Sequence, residues 1–285
     1  MNFYGQAEGI AQSIVRAFED ANSLPKPLAQ IFIHRKDASH FSKWSWGNQL
    51  LVILRGFSDA RGFQQWHDVG RWVKKGEKAF HILGPVKKKI TDKETGEEKS
   101  IVVGFKGIAV FGIEQTDGEP LPIGDADIEK WLDSLPLLAV AKAWGLSVDV
   151  FNGETAGFLG IYRRRFGIAL GVKNLSTFLH ELTHASDDRN GSLKEKGQHW
   201  RSETVAELGG AVISELLGFT HESDLGGCFG YIKGYAEKEQ ITVVDACMKT
   251  LERTCKAVAL ILDTAEAIRQ ENGNTATTPE AAIPS

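Results

Sequence analysis

Residues 202–215, "SETVAELGGAVISE", constrain this chain more than any other stretch. On a helix, Glu203 and Glu207 stand one turn apart on one face, among Ala206, Gly209, Gly210 and Ala211. Small residues let another element approach closely. Carboxylates on such a close-packed side need a cation or hydrogen bonds to justify their burial. A fold that contains this helix must lay a partner along it and bring positive charge to the acids.

The stretch "FLHELTHASDDRN", residues 178–190, meets both needs. Its helix is expected to begin near Asn174, and it sets His180 and His184 one turn apart so that two imidazoles can converge on one cation. Glu181 projects beside them, where a carboxylate can take a proton from cation-polarised water. Catalytic zinc sites hold three protein ligands. The third is expected from Glu203, with Glu207 accepting the ring N–H of a ligand histidine; the reverse assignment of the two acids stays open. Zinc is the expected ion, and manganese or another divalent ion would accept the same donors. Asp187 and Asp188 lie too close on the same helix end to complete the site and read as solvated, while His199 and His221 read as surface or core histidines. The strand candidates "GFLGIYRR" and "FGIALGV" precede the helix, and either could run antiparallel to a bound peptide.

The chain as a whole reads as α+β in two modules. Residues 1–106 carry 17 Lys and Arg against 11 Asp and Glu, and residues 107–285 carry 16 against 26. A basic half of this kind is the usual footprint of a polyanion. The runs "AFHILGPVKKKIT" and "KSIVVGFKGIAVFGIE" flank a polar loop and signal a β-hairpin. "WSWGNQLLVILRGF" reads as a buried helix from Ser45, and "GFQQWHDVGRWV" as a short amphipathic helix. The Asp-, Gly- and Pro-rich stretch at 115–127 reads as a linker. The expected division is residues 1–118, residues 119–272 and a disordered tail, 273–285. With no run near the roughly 18 apolar residues of a membrane span and no signal-peptide pattern, a cytoplasmic protein is expected. Cys228, Cys247 and Cys255 read as buried and reduced.

Single-strand binders combine cations that follow phosphates with aromatic faces that stack on bases. The basic half offers Trp44, Trp46 and Asn48, then Trp66, Arg71, Trp72, Lys74, Lys75 and Lys78, then Lys87, Lys88 and Lys89 on the hairpin. Tryptophans also serve as core residues and lysine runs as solvated faces. No recognition helix or sequence-reading motif accompanies them, so any binding should be non-specific.

These stretches together resemble the ArdC-type antirestriction proteins of plasmids and other mobile elements. "WSWGNQLLVILRGF" with "GFQQWHDVGRWVKKGEKAFHILGPV" is similar to that family's N-terminal domain, which is also joined to plasmid primases. "FLHELTHA" with "RSETVAELGGAVISELLG" is similar to its zincin-like domain. The resemblance implies single-stranded DNA binding by the first domain, a metallopeptidase-like fold in the second, and protection of incoming DNA during conjugation. The early loop, "NSLPKPLAQIFI", lacks the tryptophans that many members carry there.

Two functions compete on these residues. In one, an antirestriction protein binds single strands and carries an active metallopeptidase acting on an unidentified protein or peptide. In the other, it shields DNA while the metal-bound domain is structural or binds a partner. An intact Glu181 favours the first, because a structural site has no need of a base.

Overall fold

The computed structural model describes residues 2–34, 39–91, 98–121, 137–150, 160–164, 166–170, 175–192, 200–218 and 225–275. The chain is α+β and divides into two packing units, residues 1–125 with 224–252 and residues 126–223 with 253–285.

The first unit begins with the strand Phe3–Tyr4 (β1) and the helices Ala7–Glu19 (α1), Pro25–His34 (α2) and Trp46–Ile53 (α3). Next come Ala60–Arg61 (β2), the short helix Phe63–His67 (α4) and Arg71–Val73 (β3). Phe80–Thr91 (β4), Glu98–Gly112 (β5) and Thr116–Gly118 (β6) follow. Strand β5 is the spine of the sheet: β4 and β2 pair with it antiparallel and β1 parallel. The register of the β4–β5 hairpin shifts between Val86 and Lys87. Beyond that shift the side chains lose their apolar alternation, and Lys87, Lys88, Lys89 and Ile90 are all exposed. Helix α1 buries Ala7, Ala11, Ile14, Val15 and Phe18, the i, i+4, i+7 pattern of a helix packed on one side.

Several details depart from the sequence expectation, the first being that residues 25–34 of the expected early loop form the helix α2. The amphipathic helix ends at His67, because Gly70 turns the chain in the left-handed region (φ +72°) and Arg71–Val73 pairs with β6. The first residues of the expected linker, Thr116–Gly118, are therefore a paired strand. A late segment also joins the first unit. It holds the helix Cys228–Lys238 and the start of the 33-residue helix Val243–Thr275. Its seat is close: a Cβ on Gly47 would meet Met248 Cε at 2.7 Å.

The second unit holds the helix Leu137–Ala143 (α5) and the strands Ser147–Val150 (β7), Gly160–Arg163 (β8) and Gly167–Leu170 (β9). The helices Leu175–Arg189 (α6) and Trp200–Leu216 (α7) follow. Its sheet has the order β7-β9-β8, with β7 parallel to β9 and β8 antiparallel. Strand β8 is thus an edge, and α6 packs against it. In continuing order Cys228–Lys238 is α8 and Val243–Thr275 is α9. The three cysteines are buried and free. Among the described residues no helix is long and apolar enough to cross a membrane. The expected tail, 273–285, falls almost entirely outside the described residues.

Two polar side chains tie the first unit together. The Asn48 amide donates to Leu83 O and its carbonyl accepts from Leu83 N, both at 2.9 Å, joining α3 to β4. Trp66 is fully buried and donates from Nε1 to Phe111 O at 3.0 Å. Asn48→Ala should lower stability by about 2 kcal/mol, because two backbone groups of β4 lose buried partners. Trp66→Ala should cost about 3–5 kcal/mol. Urea unfolding followed by tryptophan fluorescence checks both.

Candidate metal centre

Gly209 and Gly210 allow α6 and α7 to touch. A Cβ on Gly210 would stand 3.1 Å from His180 N, and one on Gly209 would meet Thr183 Cγ2 at 2.6 Å. At that separation the polar side chains of the two helices meet. His180 Nε2 lies 3.4 Å from Glu203 Oε2, and His184 Nε2 lies 3.5 Å from Glu203 Oε1. The imidazole rings are 4.8 Å apart at 78°. One donor atom from each of His180, His184 and Glu203 falls within 4.8 Å of the others, a spacing that one cation can span. Glu207 sits elsewhere, with Oε1 3.4 Å from His180 Nδ1, the nitrogen turned away from Glu203. A ring held from behind by a carboxylate keeps its other nitrogen presented and made more basic. The donor set of two imidazoles and one carboxylate fits a divalent ion such as zinc or manganese.

The electrostatics show how strongly this cluster seeks positive charge. Burial works against an imidazolium at position 180, but Glu203 and Glu207 outweigh it and raise the His180 pKa to about 10. Burial likewise opposes charge on Glu203, yet hydrogen bonds from His180 and His184 hold it down at about 2. A proton thus occupies the cluster at neutral pH when no metal does. Glu181 differs. It is 5% exposed, and burial raises its pKa despite the nearby histidines and a hydrogen bond from the Tyr162 backbone. That places a partly desolvated carboxylate next to the histidines, with its orientation fixed from the edge strand β8.

The acids after the motif are not solvated, contrary to the sequence reading. Asp187 is 1% exposed and binds Arg253 of α9 through two bonds, Nε to Oδ1 at 2.8 Å and Nη2 to Oδ2 at 2.6 Å. Asp188 accepts from Tyr162 Oη at 2.9 Å and from Arg164 Nε at 2.7 Å. Together they clamp the C-terminal turn of α6 to α9 and to β8. Arg253 lies 66 residues from its partner, and nothing local marks it in the sequence. His199 and His221 lie outside the described residues.

The residues expected to meet DNA separate into two groups. Asn48 and Trp66 are withdrawn, since both are buried and spent on the internal bonds described above. Arg71 is engaged as well: it binds Thr116 Oγ1 at 2.8 Å, Thr116 O at 3.1 Å and the carbonyls of Gly118 and Glu119, clasping β3 to β6. Trp46 is half-buried against Phe32, and Trp44 is half-buried beside His40 and Phe41. Lys74 reaches Glu114 O at 3.1 Å and Lys89 pairs with Glu98 at 3.0 Å. Trp72, 54% exposed, remains at the surface with Lys75, Lys78, Lys87 and Lys88.

Residues 5–111 match the family model of the N-terminal domain of anti-restriction factor ArdC. Across nearly the whole length, the fold is similar to the crystal structure of the antirestriction ArdC protein from the R388 plasmid. The metal-free form gives a TM-score of 0.59 at 19% identity, covering 91% of this chain and 97% of that one. Residues 5–111 thus carry the ArdC N-terminal domain, and the rest of the chain shares the ArdC fold. The Mn(II)-bound form of the R388 protein gives the same TM-score at 17% identity, covering 92% of this chain and 98% of that one. At such identities the likeness of the second unit to ArdC is one of fold, and no curated protein matches the chain.

The second unit should bind one divalent ion per chain. His180→Ala or His184→Ala should abolish stoichiometric loading, and Glu203→Ala should weaken it more than Glu207→Ala, as read by elemental analysis after gel filtration. Binding must also displace the proton that His180 holds below pH 10. Calorimetry in two buffers of different ionisation enthalpy should show about one proton released per ion at pH 7, and affinity rising with pH. Equal loading of wild type and both histidine variants would remove the site.

Proposed function

We propose that this chain is an antirestriction protein that binds single-stranded DNA non-specifically through its first unit and carries a metal-dependent peptidase site in its second. The observation that carries the peptidase reading is the buried Glu181 beside His180, His184 and Glu203, since a site built only to hold an ion needs no desolvated base. The Mn(II)-bound form of the R388 relative supports a divalent ion as cofactor, and the donor set of His180, His184 and Glu203 suits one.

When bound, the ion would polarise a substrate carbonyl and acidify a water. The chain's own residues supply the rest. Glu181, its pKa raised by burial, takes a proton at its carboxylate and delivers it to the leaving amine. Glu207 keeps His180 turned toward the centre by accepting from Nδ1. Strand β8, an edge whose Tyr162 backbone reaches Glu181, offers a rail on which an extended peptide can add as a further strand.

In the first unit, the exposed Trp72 and the lysines at 75, 87 and 88 supply a stacking face and phosphate partners without base readout. Several oligonucleotide sequences should bind alike. The slope of log affinity against log salt is about −0.7 per phosphate neutralised on single strands, so four to six contacts give roughly −3 to −4. Reversing Lys75, Lys87 and Lys88 to Glu should flatten that slope, whereas Trp72→Ala should lower affinity and leave it nearly unchanged. Absence of salt-sensitive binding in fluorescence anisotropy would refute the DNA part.

Glu181→Ala separates protection by proteolysis from protection by shielding. It should leave metal loading and oligonucleotide affinity intact and abolish peptide hydrolysis. If incoming DNA stays protected in cells carrying this variant, the peptidase is not the protective act.

A further inference from the structure

The first unit contains a cavity that neither the hairpin lysines nor Trp72 accounts for. It measures about 570 Å³ and is bounded by α1, α3 and the start of β4. That volume falls within the roughly 300–1,000 Å³ of small-ligand sites. Arg16, Arg55 and Lys78 line it, and no Asp or Glu is among the lining residues. Three like charges around one concavity give it a positive potential and favour an anion. The opposite character comes from Ile10, Leu51, Phe57 and Phe80, with the two phenylalanine rings 5.1 Å apart at 33°. An anion with a flat apolar body suits this mixed lining.

Gly9 borders this space from the exposed side of α1. It lies inside α1 and faces the cavity, and a Cβ there would meet nothing within 4 Å. Glycine within a helix is less stable than alanine. A side chain can therefore be added at Gly9 without a clash, which makes the position a probe of the cavity. Beside it, Arg16 Nη2 donates to Ser13 Oγ at 3.1 Å.

We propose that this cavity binds a nucleotide through its phosphomonoester, with the base on the Phe57 and Phe80 wall and the phosphate at Arg16, Arg55 and Lys78. A phosphodiester within a strand brings one negative charge. A phosphomonoester brings close to two at neutral pH, which better matches three cations, and guanidinium groups bind it through paired hydrogen bonds. A free nucleotide and the phosphorylated end of a single strand carry this same chemistry. The proposal is independent of the non-specific single-strand reading, because a mononucleotide tests it directly.

The experiment uses the full-length protein, with calorimetric titration of dTMP, thymidine and inorganic phosphate. It adds competition between 5′-phosphorylated and 5′-hydroxyl oligothymidylates. dTMP should bind at least about tenfold more tightly than thymidine or phosphate. Gly9→Met, which fills the cavity, and the double variant Arg16→Ala/Arg55→Ala should each lower dTMP affinity at least about tenfold, with thermal unfolding and metal loading unchanged. Tighter binding of the 5′-phosphorylated strand assigns the site to strand ends. Equal strands with dTMP still bound assign it to free nucleotides, and dTMP binding without any oligonucleotide binding would sink the single-strand reading alone. The proposal is overturned if dTMP does not bind, or if both variants bind it like wild type. It is equally overturned if the variants weaken internal and phosphorylated strands alike with no preference for dTMP.

Discussion

The contact between α6 and α7 is the constraint on which the second unit's chemistry depends. With Gly210 against the His180 backbone and Gly209 against Thr183, the helices run close enough for Glu203 to reach both imidazoles. A side chain at either glycine would push α7 outward, and a shift of about 1 Å is enough to spoil a preorganised site. The glycines are therefore as much part of the centre as the donors, although they touch no ligand. Their helical cost relative to alanine is offset by what their absence of bulk permits.

Charge then fixes what such a contact can hold. Two carboxylates beside two imidazoles under partial burial form a cluster whose balance requires a cation, and the His180 proton fills that role when no metal does. Glu181 stands outside the ion-paired set and keeps its burial-raised pKa. The clamp of Asp187 with Arg253 and of Asp188 with Tyr162 and Arg164 holds the end of α6 from two sides. The helix thus presents His180, Glu181 and His184 from its middle and is anchored by its last turn.

The grouping of the two histidines and two glutamates was legible in the sequence because its logic is local. Helical periodicity alone places His180 with His184 and Glu203 with Glu207, and the run of small residues announces the helix contact. The hairpin was legible for the same reason, as alternation around a polar loop. Long-range pairings were hidden. Asp187 reads as a surface acid until Arg253 arrives from 66 residues away, and Asn48 reads as a DNA contact until the Leu83 backbone claims its amide. Trp66 and Arg71 misled likewise, since an indole or guanidinium looks the same in sequence whether it faces solvent or an internal carbonyl. The return of residues 224–252 to the first unit carries no compositional mark at all.

The central claim is that His180, His184 and Glu203 hold one ion while Glu207 supports His180 from behind. A crystal structure of the manganese-loaded protein, with anomalous data above and below the manganese edge, tests it most directly. The account predicts one peak about 2.0–2.2 Å from Nε2 of both histidines and from a Glu203 oxygen, with Glu207 still at His180 Nδ1. A peak bound by Glu207 in place of Glu203, or one away from the imidazoles, would contradict it.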